Sequence, residues 1–172
     1  MASLGHLASR FFGSLLPIGP RPPDAEWAVG HLNEGERAIW ARMSRADRRH
    51  AAGVARRASG ALGGRATTEV VAAALLHDCG KVVAGLGTPA RVVATVAAGV
   101  WSREKAETWS GSRGVRRRIG LYLRHPQIGA DLLEAAGSHP LTAAWAAEHH
   151  RPEARWTVPL ETGRALKAAD DD

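Results

Sequence analysis

The residues in this chain best suited to chemistry are its histidines and the carboxylates beside them. Eight His are present, at positions 6, 31, 50, 77, 125, 139, 149 and 150. A single His in a helical protein is usually structural or on the surface, so the informative feature is how several are grouped. His77-Asp78 follows Val70-Val71-Ala72-Ala73-Ala74-Leu75-Leu76, the most apolar helical stretch of the sequence. A carboxylate there is disfavoured twice. Burying an unpaired charge costs free energy, and a helix C-terminus carries partial negative charge. A bound divalent cation would reverse both effects. Lys81, one helical turn further on, adds a cation to the same neighbourhood, although a surface lysine near a helix end would read the same way. His125, in Arg124-His125-Pro126, and the pair His149-His150 supply more imidazoles. Adjacent residues on a helix point about 100° apart, so the two rings of the pair could serve two ions, or one ring could stand behind the other. Nitrogen and oxygen donors in this mix suit Fe, Mn, Zn, Co or Ni and need no thiolate.

Helices must position these groups. Residues 1–16 read as a short helix or as disordered chain. Four Pro and one Gly within 17–23 read as a linker, so 1–23 is an extension and 24–172 the domain. Asp24 is placed to cap a helix reaching about Met43, and Ser44 to cap a second that ends near Ser59-Gly60. Thr67-Thr68 opens the apolar third helix, and Gly80 suits its C-terminal end. Gly85 to Gly87 reads as a turn. Thr88-Pro89 opens a fourth helix to about Trp101, and 102–114 reads as a loop or frayed helix. Further helices are expected over Val115 to Leu123, Ile128 to Ala136, Pro140 to His149 or His150, and Leu160 to Asp170. Strand-type alternation is absent. The expected fold is all-α, a single compact bundle of about six to eight helices.

The bulk composition agrees. The chain has 172 residues, 45% of them hydrophobic and only 5% aromatic, which suits one domain with an Ala-rich helical core. Net charge is +6, from 23 Lys and Arg against 17 Asp and Glu. Nearly all the cations are Arg, which suits bidentate phosphate contact, but a genome rich in G and C would give the same bias. No recognition helix or aromatic-interleaved strand supports nucleic-acid binding. No run approaches the roughly 18 to 20 apolar residues of a membrane span, and no signal peptide is evident. Cys79 is the one cysteine, which rules out an internal disulfide and fits a cytoplasmic protein.

His50 in Asp47-Arg48-Arg49-His50, then His77-Asp78, then Asp170 in Lys167-Ala168-Ala169-Asp170 form an ordered set. That set resembles the HD-domain superfamily of metal-dependent phosphohydrolases, over about residue 24 to the C-terminus. The resemblance implies a helical bundle in which His50, His77, Asp78 and Asp170 coordinate metal. His125, in His125-Pro126-Gln127-Ile128-Gly129-Ala130, and His149-His150 occupy the places of the extra ligands of binuclear members, including the cyclic-di-nucleotide phosphodiesterase branch. The sequence after His150, Arg151-Pro152-Glu153-Ala154-Arg155-Trp156, lacks that branch's Gly-Tyr-Pro signature, so cyclic-di-GMP hydrolysis is not implied.

What the resemblance implies is a phosphohydrolase acting on a phosphoester or phosphoanhydride, with a small phosphorylated substrate such as a nucleotide. One or two divalent ions would clamp a phosphoryl oxygen and acidify a water, with Asp78 as the natural bridge. Lys81, Arg124 and Arg151 would hold substrate phosphate, and Lys81 with Asp78 would take part in catalysis. Arg116 to Arg118 read equally as a solvated helix face. Trp101 and Trp145 read as core, and Trp156 as a weaker candidate for stacking on a base. Two other readings stay open: a metal-binding signalling or partner-binding module without turnover, and a basic helical protein that binds nucleic acid. Oligomeric state is not readable.

Overall fold

The computed structural model describes residues 19–85 and 103–172, with side chains at 103–105 left aside. The expected helices at 1–16 and Thr88 to Trp101, the turn at 86–87, and His6 and Trp101 lie outside these residues. Within them every regular element is helical. The elements are α1 (Pro22–Gly30), α2 (Glu34–Arg42), α3 (Arg45–Leu62), α4 (Thr68–Leu76), α5 (Lys81–Ala84), α6 (Arg103–Ser110), α7 (Gly114–Leu123), α8 (His125–Ala135), α9 (Pro140–Glu148) and α10 (Leu160–Asp171). Short 3₁₀ turns at Gly63–Arg65 and Glu153–Arg155 join α3 to α4 and α9 to α10.

α4 is the axis of the bundle. Its residues Val70 to Leu76 are all buried, as an element apolar on every face must be. It packs against α3 and α9; α9 packs on α8, and α3 on α10. The contact faces are rich in alanine: Ala51, Ala52, Ala55 and Ala58 on α3, Ala72 to Ala74 on α4, and Ala143 and Ala146 on α9 are buried. Small side chains let helix backbones approach closely, while Leu75, Leu76, Leu133, Trp145 and Leu166 fill the remaining space. A smaller cluster of Ala84, Ile119, Leu121 and Tyr122 joins α5 to α7.

Several boundaries differ from the sequence expectation. The helix expected over 24 to 43 is two helices. Asn33 caps α2 in a capping box: its Oδ1 accepts from Glu36 N at 2.8 Å, and Glu36 Oε2 accepts from Asn33 N at 2.9 Å. Pro22 and Pro23 belong to α1 rather than to a linker, because proline in the first turn lacks only an N–H that the helix does not use. Asp24 is therefore in the first turn, with Arg21 as cap. α3 continues past Ser59-Gly60 to Leu62. The segment read as loop contains α6, which lies on α7. These changes raise the number of segments above the six to eight expected, while the all-α bundle stands. Ser44, Pro140 and the start at Thr68 sit where the sequence puts them.

The junction of α4 and α5 fixes where the ligand candidates at 77 and 78 point. The chain does not break after His77; it tightens. Cys79 N bonds to Leu76 O, Lys81 N to Asp78 O and Val82 N to Cys79 O, a run of i to i−3 bonds. Gly80 is right-handed here, with φ −61°, and lies beyond the end of α4 at Leu76, so it does not close that helix as expected. Glycine is required for another reason. A Cβ at Gly80 would lie 2.0 Å from His125 O and 2.7 Å from Gly129 N. The two backbones touch at this point.

Candidate metal centre

The tightened turn after α4 aims His77 and Asp78 into the middle of the bundle, where they are 1% and 5% exposed. α3 contributes His50, and α10 contributes Asp170. The first turn of α8 contributes His125, and the end of α9 contributes His149 and His150. The seven residues picked out in the sequence as ligands, from elements up to 120 positions apart, thus meet in one place.

They form two overlapping sets. The ligand atoms of His50, His77 and Asp78 lie within 4.8 Å of one another, as do those of Asp78, His125, His149 and His150. Asp170 joins the first set: its Oδ1 is 3.0 Å from His50 Nε2 and 3.5 Å from His77 Nε2. Asp78 belongs to both sets and divides its oxygens between them. Oδ2 is 3.5 Å from His77 Nε2, and Oδ1 is 3.2 Å from His125 Nε2 and 3.7 Å from His149 Nε2. Asp170, and not Asp171, is the buried member of the terminal run; Asp171 is exposed and bonded to Lys167 at 2.8 Å.

The imidazoles are oriented by a shared device. His77, His125 and His149 place Nδ1 on the carbonyl three residues back, of Ala74 at 2.9 Å, Tyr122 at 2.6 Å and Ala146 at 2.9 Å. Each carbonyl belongs to the last turn of α4, α7 or α9, where helices leave acceptors unsatisfied. A carbonyl can only accept, so Nδ1 carries the proton and Nε2 is the lone-pair nitrogen in the neutral ring. Those three Nε2 atoms and Asp78 Oδ1 are buried with no hydrogen-bond partner. Buried polar atoms are nearly always satisfied. With the rings neutral, these are four unsatisfied acceptors spread over the two sets around Asp78, an arrangement that suits cations. The donor types and the tautomers fit a divalent transition metal.

The electrostatics point the same way. Burial would depress His77, but Asp78 and Asp170 overcome it and raise its pKa to about 10. The cluster therefore draws positive charge to itself even through its own side chains. Burial opposes ionisation of Asp78 and Asp170 as well; Lys81 and His77 hold Asp78 well below the usual carboxylate range, and His50 and His77 do so for Asp170. In the second set the balance is opposite. Burial depresses His149, and desolvation of the ring with the neighbouring His149 and His125 lowers His150, although His150 is the exposed member of the set; both shifts favour the neutral, ligand-competent ring. Their centroids are 3.9 Å apart.

Lys81 Nζ contacts Asp78 Oδ2 and lies 5.8 Å from the Tyr122 ring centre. Burial alone would lower its pKa, but Asp78 outweighs burial and raises it. Arg124 is half-buried and donates from Nη1 to Ser110 Oγ at 3.1 Å. Arg151 is half-buried, and its Nε has no partner. Arg116 to Arg118 are exposed. His31 and His139 are not brought to the centre: His31 Nδ1 sits on Trp27 O, and His139 Nδ1 caps α9. Trp156 does not present a free stacking face. It packs edge-on against Trp145 and donates Nε1 to the carbonyls of Glu148 and Arg151. Cys79 is fully buried, and burial pushes its thiol pKa up to about 12, which makes it inert.

Glu148 is a residue that the sequence alone does not single out. It is 4% exposed and accepts from Thr157 N at 2.7 Å and Thr157 Oγ1 at 2.9 Å. It thereby ties the loop after the His pair back to α9. A Glu at the end of an apolar helix is a usable signal, because buried carboxylates are seldom left unpaired. Glu148→Ala leaves the Thr157 donors unmet and is expected to lower stability by about 2 kcal/mol, read as a fall in the urea midpoint, with Glu148→Gln milder.

Among the described residues no helix is long and apolar enough to cross a membrane. Comparison with protein-family models, curated proteins and solved structures finds no match to this chain.

Proposed function

We propose that the protein is a metal-dependent phosphohydrolase with a two-ion centre bridged by Asp78. The observation that carries this reading is the division of the Asp78 carboxylate, with one oxygen toward His77 and the other toward His125 and His149. His50, His77 and Asp170 would hold one ion with Asp78, and His125, His149 and His150 the other. Two divalent ions so placed would supply Lewis-acid stabilisation of a phosphoryl group and acidify a water.

The chain's own groups would do the rest. Lys81, beside Asp78 and at 16% side-chain exposure, would meet a substrate phosphate oxygen. Arg151 and Arg124, both half-buried, would meet further phosphate oxygens. The ordered resemblance to HD-domain enzymes supports the reaction class, and the absence of Gly-Tyr-Pro points away from cyclic-di-GMP. A nucleotide or another small phosphoester in a reducing cytoplasm is the setting this reading favours.

The test is elemental analysis and titration with Mn²⁺, Co²⁺ or Zn²⁺, joined to a panel of phosphomonoesters and phosphodiesters. The expected result is near two ions per chain, metal-dependent turnover, and unfolding stability raised by about 2.7 kcal/mol for each ion at a hundredfold excess of metal over its Kd. Protein that takes up no ion, and whose melting is unmoved by metal or chelator, would defeat the reading.

A metal-binding module without turnover is the second reading, and one observation favours it. Two open surface depressions, of about 390 and 310 Å³, are lined by residues of α8 and α9 and by residues around His31, Glu69 and His139. Neither is lined by the His/Asp cluster. Uptake of two ions with no turnover on any panel substrate would select it.

A further inference from the structure

Asp170 on α10 is a ligand candidate that the shared carbonyl device cannot orient. α4, α7 and α9 each offer a last-turn carbonyl to the ring of a His that follows. α10 passes beside the centre too, but its ligand is a carboxylate, which cannot donate to a carbonyl. The carbonyl of Ala169, next to Asp170, is met from another helix. Arg57 on α3 donates to it twice, from Nε at 3.1 Å and from Nη2 at 2.7 Å.

Arg57 lies seven residues after His50, two helical turns along, so both project from the same side of α3. Their partners are consecutive: Arg57 takes Ala169 O, and His50 takes Asp170 Oδ1. Two contacts from one face of α3 onto two neighbouring residues of α10 set both the axial register and the rotation of that helix end. The planar fork matters, since two N–H groups on one oxygen restrict angle as well as distance in a way an ammonium does not. The Arg57 side chain is otherwise exposed, so its substitution leaves the packed core untouched.

We infer that Arg57 is a positioning residue of the metal centre, which orients Asp170 for the His50 half through the Ala169 carbonyl. This rests on the metal-centre reading above.

The experiment uses the full chain, stripped of metal and dialysed against graded Mn²⁺ or Zn²⁺, with bound metal measured by elemental analysis. His50→Ala identifies the ion of the first set by the affinity it weakens. Arg57→Met is expected to weaken that same ion about tenfold, the lower end of what outer partners of ligands contribute, and to leave the other ion unchanged. Arg57→Lys is expected to fall between. In a His50→Ala background, Arg57→Met is expected to add little. Arg56→Met, on the same helix but paired with Asp24, is expected to leave both affinities alone. Unchanged affinity in Arg57→Met, or an equal loss of both ions together with a lower melting temperature, would show a merely structural role and overturn the inference while leaving the metal centre intact. Wild-type protein without metal uptake would overturn both.

Discussion

Asp78→Ala is expected to abolish ordered metal uptake in both halves of the centre and to reduce turnover of an aryl phosphodiester to background. It is the one side chain that belongs to both ligand sets, so its loss cannot be confined to one ion, in contrast with His50→Ala or His150→Ala. The effect also reaches the metal-free protein. Lys81 Nζ is held against Asp78 Oδ2, and the two side chains are 16% and 6% exposed. Removing one member of a largely buried pair strands the other, a loss of about 3 kcal/mol. Chemical denaturation of metal-free protein reads that term, and metal titration reads the first. Removing Lys81 as well, in Asp78→Ala/Lys81→Met, should recover much of the stability and none of the metal binding, because the stranded charge is gone while the bridge is still missing. Two tightly bound ions in Asp78→Ala, or retained turnover, would refute the assignment of Asp78 as bridge.

Gly80→Ala should be the most damaging single-methyl change in the described bundle that leaves every ligand in place. The added Cβ would meet His125 O at 2.0 Å and Gly129 N at 2.7 Å. Both are backbone atoms, so no rotamer change relieves the clash, and α5 and α8 must separate. An overpacked contact of this kind costs about 3 kcal/mol or more. The shift also has a direction. Asp78 lies two residues before Gly80, and His125 is the residue struck, so separation lengthens the path between Asp78 Oδ1 and His125 Nε2. Affinity for the ion of the second set should therefore fall more than that for the first. Gly60→Ala is the control. It lies inside α3 with open space around it, and there the same methyl should be neutral or stabilising by about 0.5 to 1 kcal/mol. Similar melting temperatures for the two variants would show that the Gly80 crossing is looser than described.

Part of the cluster, His77-Asp78 and His149-His150, was legible because these residues have few other uses at their positions, whereas His50, His125 and Asp170 were picked out by the resemblance. A carboxylate after seven apolar residues, and two adjacent imidazoles at the end of an Ala-rich helix, are hard to explain by packing alone. The central place of α4 was legible for the same reason, since no face of it is polar. The division between α1 and α2 was written in Asn33-Glu34-Gly35-Glu36, a local capping signal. The spacing of Trp27, Leu32, Ile39 and Trp40 read across it as one apolar stripe. α6 carries no such stripe. It is held by its fit to α7, where Gly120 comes so close that a Cβ would lie 2.4 Å from Ser110 N and 2.8 Å from Ala106 O. The contact of Arg57 with Ala169 was not legible, nor was the tie of Glu148 to Thr157. An exposed arginine on a helix looks like any other until the fold brings a carbonyl 112 residues away within reach.

The separation in sequence of the ligands has a consequence for the chain as a polymer. His50 and Asp170 are 120 positions apart, and His77, His125 and His149 lie between them. An ion held by these groups would cross-link the chain into nested loops, as a multivalent staple does. The closure entropy of such loops grows only slowly with their length, so the outermost link would restrict the unfolded ensemble most while adding little to the burden of folding. The alanine-lined helices around α4 offer each other shallow contact surfaces. For them the ion would act less as a cofactor bound to a finished scaffold than as the knot that closes it.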